Sequence, residues 1–146
     1  MTRFENALAA IAVMLDLGID IETIRASLAS FEGIQRRFQR TRISEGVLVD
    51  DYAHHPKEVM ATLEAARECW PERHLTVIFQ PHRFSRTRDL MAEFMGAFDA
   101  ANEVALLPIY AASEEEIEGL SSQRLLEGMV ARGHRGVSLV DGLDDA

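Results

Sequence analysis

The sequence predicts an α/β fold: a doubly wound, mainly parallel sheet preceded by a helical hairpin. Three observations predict it. Short β-branched and aromatic runs, such as Leu75-Thr76-Val77-Ile78-Phe79, alternate with amphipathic helical stretches. Each run passes through a short loop into the next helix, the pattern of β-α-β units. The runs are short and continuously apolar, as strands covered on both faces are.

The elements follow in order. Residues 5–17 read as a helix on the spacing of Leu8, Ile11, Ala12 and Leu15, stopped by Gly18. Asp20 caps a second helix, with Ile21, Ile24, Leu28 and Phe31 on its apolar face and Gly33 after its end. Buried on one side only, this hairpin is marginal alone. Phe38 to Ile43 reads as a strand, Ser44-Glu45-Gly46 as a turn and Val47-Leu48-Val49 as a second strand. The first of these is expected to run antiparallel at an edge. Pro56 opens a helix lined by Val59, Leu63 and Ala66 and ended by Pro71. After the strand Leu75–Phe79 come a loop, Gln80–Ser85, and a helix, Arg86–Ala101, packed through Leu90, Phe94 and Phe98. A strand Val104–Ile109, an acidic loop Ala111–Gly119, a helix Ser121–Arg132 and a strand Val137–Val140 complete the pattern. The abrupt helical start and the stop at Asp144-Asp145-Ala146 both read as cut ends.

Composition narrows the function classes. The chain has 146 residues and a net charge of -9, so nucleic acid is not expected as a partner, since a phosphate backbone rewards an excess of Lys and Arg. The single cysteine, Cys69, allows no internal disulfide and is expected to be a small buried apolar residue. No apolar run approaches the ~20 residues of a membrane span, and the first residues carry no signal-peptide pattern. No membrane partner is expected, and the cytoplasm is the expected location.

In open α/β sheets, ligands sit beyond the carboxyl ends of the strands. That rule selects three loops: Asp50–His55, Gln80–Ser85 and Pro108–Gly119. The first two hold the unusual residues. In Asp50-Asp51-Tyr52-Ala53-His54-His55-Pro56, paired carboxylates and paired histidines stand between a strand and a helix, where packing does not call for them. A carboxylate there is placed to accept from ribose hydroxyls. The alternatives are solvated loop acids, one of them capping the helix, or a zinc or manganese site on Asp51, His54 and His55. Adjacent histidines on one short loop rarely converge on one ion.

Gln80-Pro81-His82-Arg83-Phe84-Ser85-Arg86-Thr87-Arg88 is the most basic patch of an acidic chain. Arg86 and Arg88 are expected in the first turn of a helix, where cations oppose the helix dipole. An anion held between them and the helix start removes that conflict. Arginine also suits bidentate binding of a carboxylate or phosphate. Arg83 and Arg86 are the favoured anion ligands; Arg88 is equally well explained as an ion pair with Asp89. Arg36-Arg37 reads either as a phosphate contact or as plain surface, and Asn6 as an adenine contact or a cap. Glu114-Glu115-Glu116 is expected to be a solvated loop face. No Gly-x-x-x-x-Gly-Lys-Ser/Thr loop, Gly-x-Gly-x-x-Gly run or Gly-x-Ser-x-Gly elbow is present.

These stretches carry a family resemblance. Asp50–Pro56 and Phe79–Leu90 closely resemble motifs of the Mur ligases, in the branch that acts on UDP-N-acetylmuramate and L-alanine. So do Asn6-Ala7-Leu8-Ala9-Ala10-Ile11-Ala12 and Arg36-Arg37-Phe38-Gln39. The resemblance spans nearly the whole chain. It implies that residues 1–33 are the last helices of a central ATPase domain. Residues 34–146 would be most of a Rossmann-like C-terminal domain that binds the amino acid. It implies ATP and Mg²⁺, an acyl phosphate formed on the muramate carboxylate, and attack by the amine of L-alanine. Position by position, it implies that Asn6 touches adenine, Arg36 or Arg37 the ATP phosphates, and Asp51 the ribose. Tyr52, His54, His82, Arg83 and Arg86 would form the alanine pocket, with no proton-shuttling catalyst among them.

Departures from the family pattern set limits. Met1-Thr2-Arg3-Phe4-Glu5 does not match the family's run before the first helix. The phosphate loop, the Mg²⁺ ligands, the sugar domain and the family's last strand are not in this sequence. The chain alone is therefore expected to be inactive. Three rival readings stand: a murein-tripeptide recycling ligase, which lacks the Gln-Pro-His-Arg-x-x-Arg cluster; a metal-dependent hydrolase using Asp50, Asp51, His54, His55 and His82; and a non-catalytic binding module.

Overall fold

The computed structural model describes residues 3–31 and 33–142; Met1-Thr2 and the stop at Asp144–Ala146 lie outside them. Two helices come first, α1 (Arg3–Asp16) and α2 (Ile21–Ala29), packed on each other. Asp20 caps α2 as expected, accepting the Glu22 and Thr23 amides at 3.1 and 3.0 Å. Of the apolar hairpin residues, Ile24 is buried, while Leu8, Val13, Leu15, Leu17, Ile21 and Phe31 are exposed. The hairpin therefore keeps an uncovered apolar surface.

An antiparallel pair follows, β1 (Gln39–Ile43) and β2 (Gly46–Asp50), in a register that sets Gln39 opposite Asp50. Its antiparallel sense is as predicted. It forms a two-stranded sheet of its own, and Val47 and Leu48 are consequently exposed rather than buried. The remaining strands are parallel, in the order β3 (Thr76–Phe79), β4 (Glu103–Leu106), β5 (Val137–Leu139). The mixed α/β class with a parallel sheet is the one the sequence predicts. Gly136 lets β5 close on β4: a Cβ there would sit 2.2 Å from the Asn102 carbonyl oxygen.

The core lies between the parallel sheet and its helices. Val59 and Leu63 of α3 (Pro56–Cys69) and Leu125 and Met129 of α6 (Ser122–Ala131) pack with Phe79, Val104 and Leu106 of the strands. Phe79 meets the Phe94 and Phe98 rings at 5.7 and 5.0 Å between centroids, within the range of favourable aromatic pairs. Cys69, expected in the core, is exposed: it is the last residue of α3, past the final inward position at Ala66. At the opposite end of the strands from the candidate loops, Arg67 acts as a clamp. Its guanidinium donates to the carbonyls of Arg73 and Ala100 at 2.7 Å each and to Asn102 Oδ1 at 2.9 Å.

The helix expected over Arg86–Ala101 starts earlier and is broken. It comprises α4 (Phe84–Asp89) and α5 (Met91–Phe94), with Leu90 between them at φ -113°, ψ 17°, outside the helical region. Arg83 turns the chain into α4 with φ 76°, and Phe84 and Thr87 bury the first turn. The helical spacing of Leu90, Phe94 and Phe98 conceals both features, because periodicity does not register a backbone turn.

Candidate functional site

Three loops leave the carboxyl ends of β2, β3 and β4. The first begins at Asp51. Its Oδ2 accepts the Phe38 amide at 2.7 Å, and the Tyr52 amide donates to the Arg36 carbonyl at 2.7 Å. These two bonds fasten the segment before β1 to the end of β2. The Arg36 guanidinium lies over the Tyr52 ring, 4.9 Å from its centroid, a cation–π arrangement, and its Nε is 3.7 Å from Asp50 Oδ1. Arg36 and Phe38 both have left-handed backbones, φ 55° and 53°. Such strain in non-glycine residues collects where surrounding structure holds a functional geometry.

Tyr52 meets the His54 ring edge-on at 5.2 Å, and His54 Nδ1 is 2.9 Å from the Tyr52 carbonyl oxygen. Neither acid caps α3. His55 does, its Nδ1 accepting the Lys57 amide at 3.3 Å. Glu58 Oε2 returns to accept the His54 and His55 amides at 3.0 and 3.1 Å, the reciprocal half of a capping box. Burial raises the Glu58 pKa. The amides of His54 and His55 and the charges of His54 and Arg37 outweigh it, so the group lies below the ordinary carboxylate value.

The second loop is held by the third. The Arg83 amide donates to the Tyr110 carbonyl at 2.8 Å, and the Tyr110 amide donates to the Pro81 carbonyl at 2.8 Å. The Arg83 carbonyl accepts from the Thr87 amide at 3.1 Å and from Thr87 Oγ1 at 2.8 Å. Thr87 is fully buried, so the strained Arg83 backbone is fixed on both sides. The His82 ring lies 5.2 Å from the Tyr110 ring, and Arg86 donates to the His82 carbonyl at 3.3 Å. Burial, then the charges of Arg86, Arg83 and His54, hold the His82 pKa below its ordinary value; Glu114 opposes them.

Two expectations are corrected here. α4 has only six residues, and Arg86 and Arg88 fall in its last turn, so the conflict with a helix dipole does not arise. Arg88 pairs with Asp89 at 2.7 Å, the alternative that the sequence left open. Glu114 is not part of a solvated face. Its carboxylate accepts the Ser85 amide at 2.9 Å and Ser85 Oγ at 2.7 Å, and it lies 3.8 Å from Arg83 NH1. Those bonds lower its pKa. Glu115 and Glu116 are exposed, as expected. The signal for Glu114 was its position in a strand-end loop, which its acidic neighbours masked.

Tyr52 and His54 stand together in the first loop, with Arg36 over the Tyr52 ring, and His82, Arg83 and Arg86 stand in the second, where Arg86 reaches the His82 carbonyl. Arg37 lines a hollow of about 510 Å³ along the 33–40 segment. Asn6 is exposed on α1. Among the described residues no group of three or more His, Cys, Asp or Glu side chains is arranged to hold a metal ion. Asp51 Oδ2 accepts the Phe38 amide and His55 Nδ1 the Lys57 amide. No described helix is long and apolar enough to cross a membrane.

Comparison with known proteins follows the same lines. Residues 36–146 match the family described as Mur ligase, glutamate ligase domain. A UDP-N-acetylmuramate–L-alanine ligase of Desulfosudis oleivorans is 46% identical over 142 residues, covering 97% of this chain and 31% of that protein. The crystal structure of a UDP-N-acetylmuramate-alanine ligase from Thermotoga maritima superimposes with a TM-score of 0.74 at 29% identity, over 94% of this chain and 29% of that one. A murein peptide ligase from Psychrobacter arcticus shares the fold, with a TM-score of 0.65 at 24% identity over 96% of this chain and 29% of its own. The chain spans less than a third of the length of these relatives. By the match over residues 36–146, which carries both the β-strand core and the three loops, the chain belongs to the Mur ligase family.

Proposed function

We propose that the chain is the C-terminal portion of an ATP-dependent amide ligase that joins L-alanine to UDP-N-acetylmuramate in peptidoglycan precursor synthesis in the cytoplasm. The observation that carries this reading is the cluster of His82, Arg83 and Arg86 in one strand-end loop, with Arg86 on the His82 carbonyl at 3.3 Å, within the stretch that matches the family. Residues 34–146 form the amino-acid-binding domain, and residues 1–33 the last helices of the ATPase domain. The family match, which begins at residue 36, and the exposed apolar side chains of the α1–α2 hairpin support that division.

Arg83 and Arg86 hold the carboxylate of L-alanine, while Tyr52, His54 and His82 shape the pocket around its amine and methyl group. Asp51, oriented by the Phe38 amide, is suited to a ribose diol, and Arg36 and Arg37 to nucleotide phosphate. Asn6 would reach adenine from α1. Mg²⁺, with its ligands elsewhere in the protein, supplies neutralisation of phosphate charge. In the reaction, a muramate carboxylate oxygen attacks the γ-phosphorus and ADP leaves. The alanine nitrogen then attacks the acyl carbon, phosphate leaves, and the amine proton passes to solvent. These side chains act by positioning the amine for attack and by holding charge, not by shuttling protons.

The test is phosphate release from ATP by the complete protein. Release that requires both UDP-N-acetylmuramate and L-alanine is expected. Release driven by a murein tripeptide in place of L-alanine contradicts the proposal.

A further inference from the structure

The carboxylate of Glu114 stands inside the cationic group that the preceding proposal gives to the amino acid. It reaches there from the loop after β4 and is fixed by two hydrogen bonds from Ser85, at 2.9 and 2.7 Å, with Arg83 NH1 3.8 Å away. Its side chain is only a quarter exposed, against half for Arg83. Glu114 thus offsets part of the positive charge that Arg83 and Arg86 present. One substrate carboxylate still meets the remaining positive charge; a second carboxylate is brought toward the charge of Glu114. Like charges brought together in a partly dehydrated site repel strongly.

We infer that Glu114 is a specificity-determining residue: it offsets part of the positive charge of the amino-acid site and so selects a monocarboxylate amino acid over a dicarboxylate one. This inference rests on the amino-acid reading of Arg83 and Arg86. Glu114 acts through charge balance and through Arg83, so its effect belongs in the ratio between substrates rather than in turnover. Discrimination by an element that repels the wrong substrate is a general device of specific sites.

The experiment uses the full-length ligase and compares kcat/KM for L-alanine with that for L-aspartate. In Glu114→Gln the shape and an acceptor for Ser85 are kept and the charge is removed. The preference for L-alanine over L-aspartate is expected to fall about tenfold or more, with Glu114→Asp, which keeps the charge, retaining most of it. Arg83→Ala, assayed in parallel, is expected to raise the KM for L-alanine and leave that for UDP-N-acetylmuramate unchanged. If Arg83→Ala behaves so while Glu114→Gln leaves the ratio unchanged, or Glu114→Asp lowers it as much as Gln does, the role of Glu114 is refuted and the amino-acid site stands. If Arg83→Ala leaves the KM for L-alanine unchanged, the site itself is refuted, and the inference with it.

Discussion

Arg36 and Tyr52 are joined twice: the Tyr52 amide donates to the Arg36 carbonyl at 2.7 Å, and the Arg36 guanidinium covers the Tyr52 ring at 4.9 Å. The pair couples the segment that leads out of the helical hairpin to the loop that carries Asp51 and His54. The proposed nucleotide and amino-acid contacts are therefore mechanically linked. Asp51→Ala removes the acceptor for the Phe38 amide and loosens the same junction. A loss of about 1.5–3 kcal/mol is expected, the range for a hydrogen bond to a charged group. Urea denaturation of the full-length protein measures it, and a raised KM for ATP should accompany it.

Arg83 has φ 76°, a conformation that a Cβ resists. Arg83→Gly and Arg83→Ala delete the same guanidinium, but only alanine keeps the Cβ. The glycine variant should be more stable than the alanine variant by about 1–2 kcal/mol. Denaturant midpoints of the two variants compare them directly, and both should bind L-alanine poorly.

His82 should titrate below its ordinary value of 6.5, because burial and the charges of Arg86 and Arg83 favour the neutral ring. The sign for stability follows. Between the folded and unfolded pKa values the unfolded chain binds more protons, so stability from this group is full above about pH 6.5 and falls as pH drops toward the folded pKa. Ring signals followed by NMR should show the lowered pKa, and Arg86→Ala should move it back upward.

Arg67 ties the far end of the domain together through the carbonyls of Arg73 and Ala100 and through Asn102, which also accepts the Leu75 amide at 2.8 Å. Arg67→Ala leaves several acceptors without a donor at once. A loss of about 2–4 kcal/mol is expected from two or more charge-assisted bonds, read as a lowered denaturant midpoint. Because the clamp is remote from the three loops, the KM for L-alanine at low temperature should not change.

Much of this arrangement is legible in the sequence. The periodicity of Leu8 to Leu15 gives α1, Asp20 gives the start of α2, and Pro56 gives the start of α3, since local chemistry decides each. The strand-end rule finds the loops that carry Asp51, His54, His82 and Arg83. The missed features depend on distant partners. The entry into α4 rests on the Arg83–Tyr110 hydrogen bond, and the β1–β2 pair stands apart from the parallel sheet for reasons that no strand pattern holds. Glu114 looked like one of three solvated acids because its partner, Ser85, lies 29 residues away. His55, a ligand only in the metal reading, caps α3.

The central claim is that Arg83 and Arg86 are the carboxylate clamp for L-alanine. Steady-state kinetics of full-length Arg86→Ala test it most directly, with L-alanine, ATP and UDP-N-acetylmuramate each varied in turn. Loss of a charge-assisted bond of about 1.5–3 kcal/mol predicts a KM for L-alanine raised roughly ten- to a hundredfold, with the other two KM values within about twofold of the parent. An unchanged KM for L-alanine, or an equal rise for all three substrates, contradicts the claim.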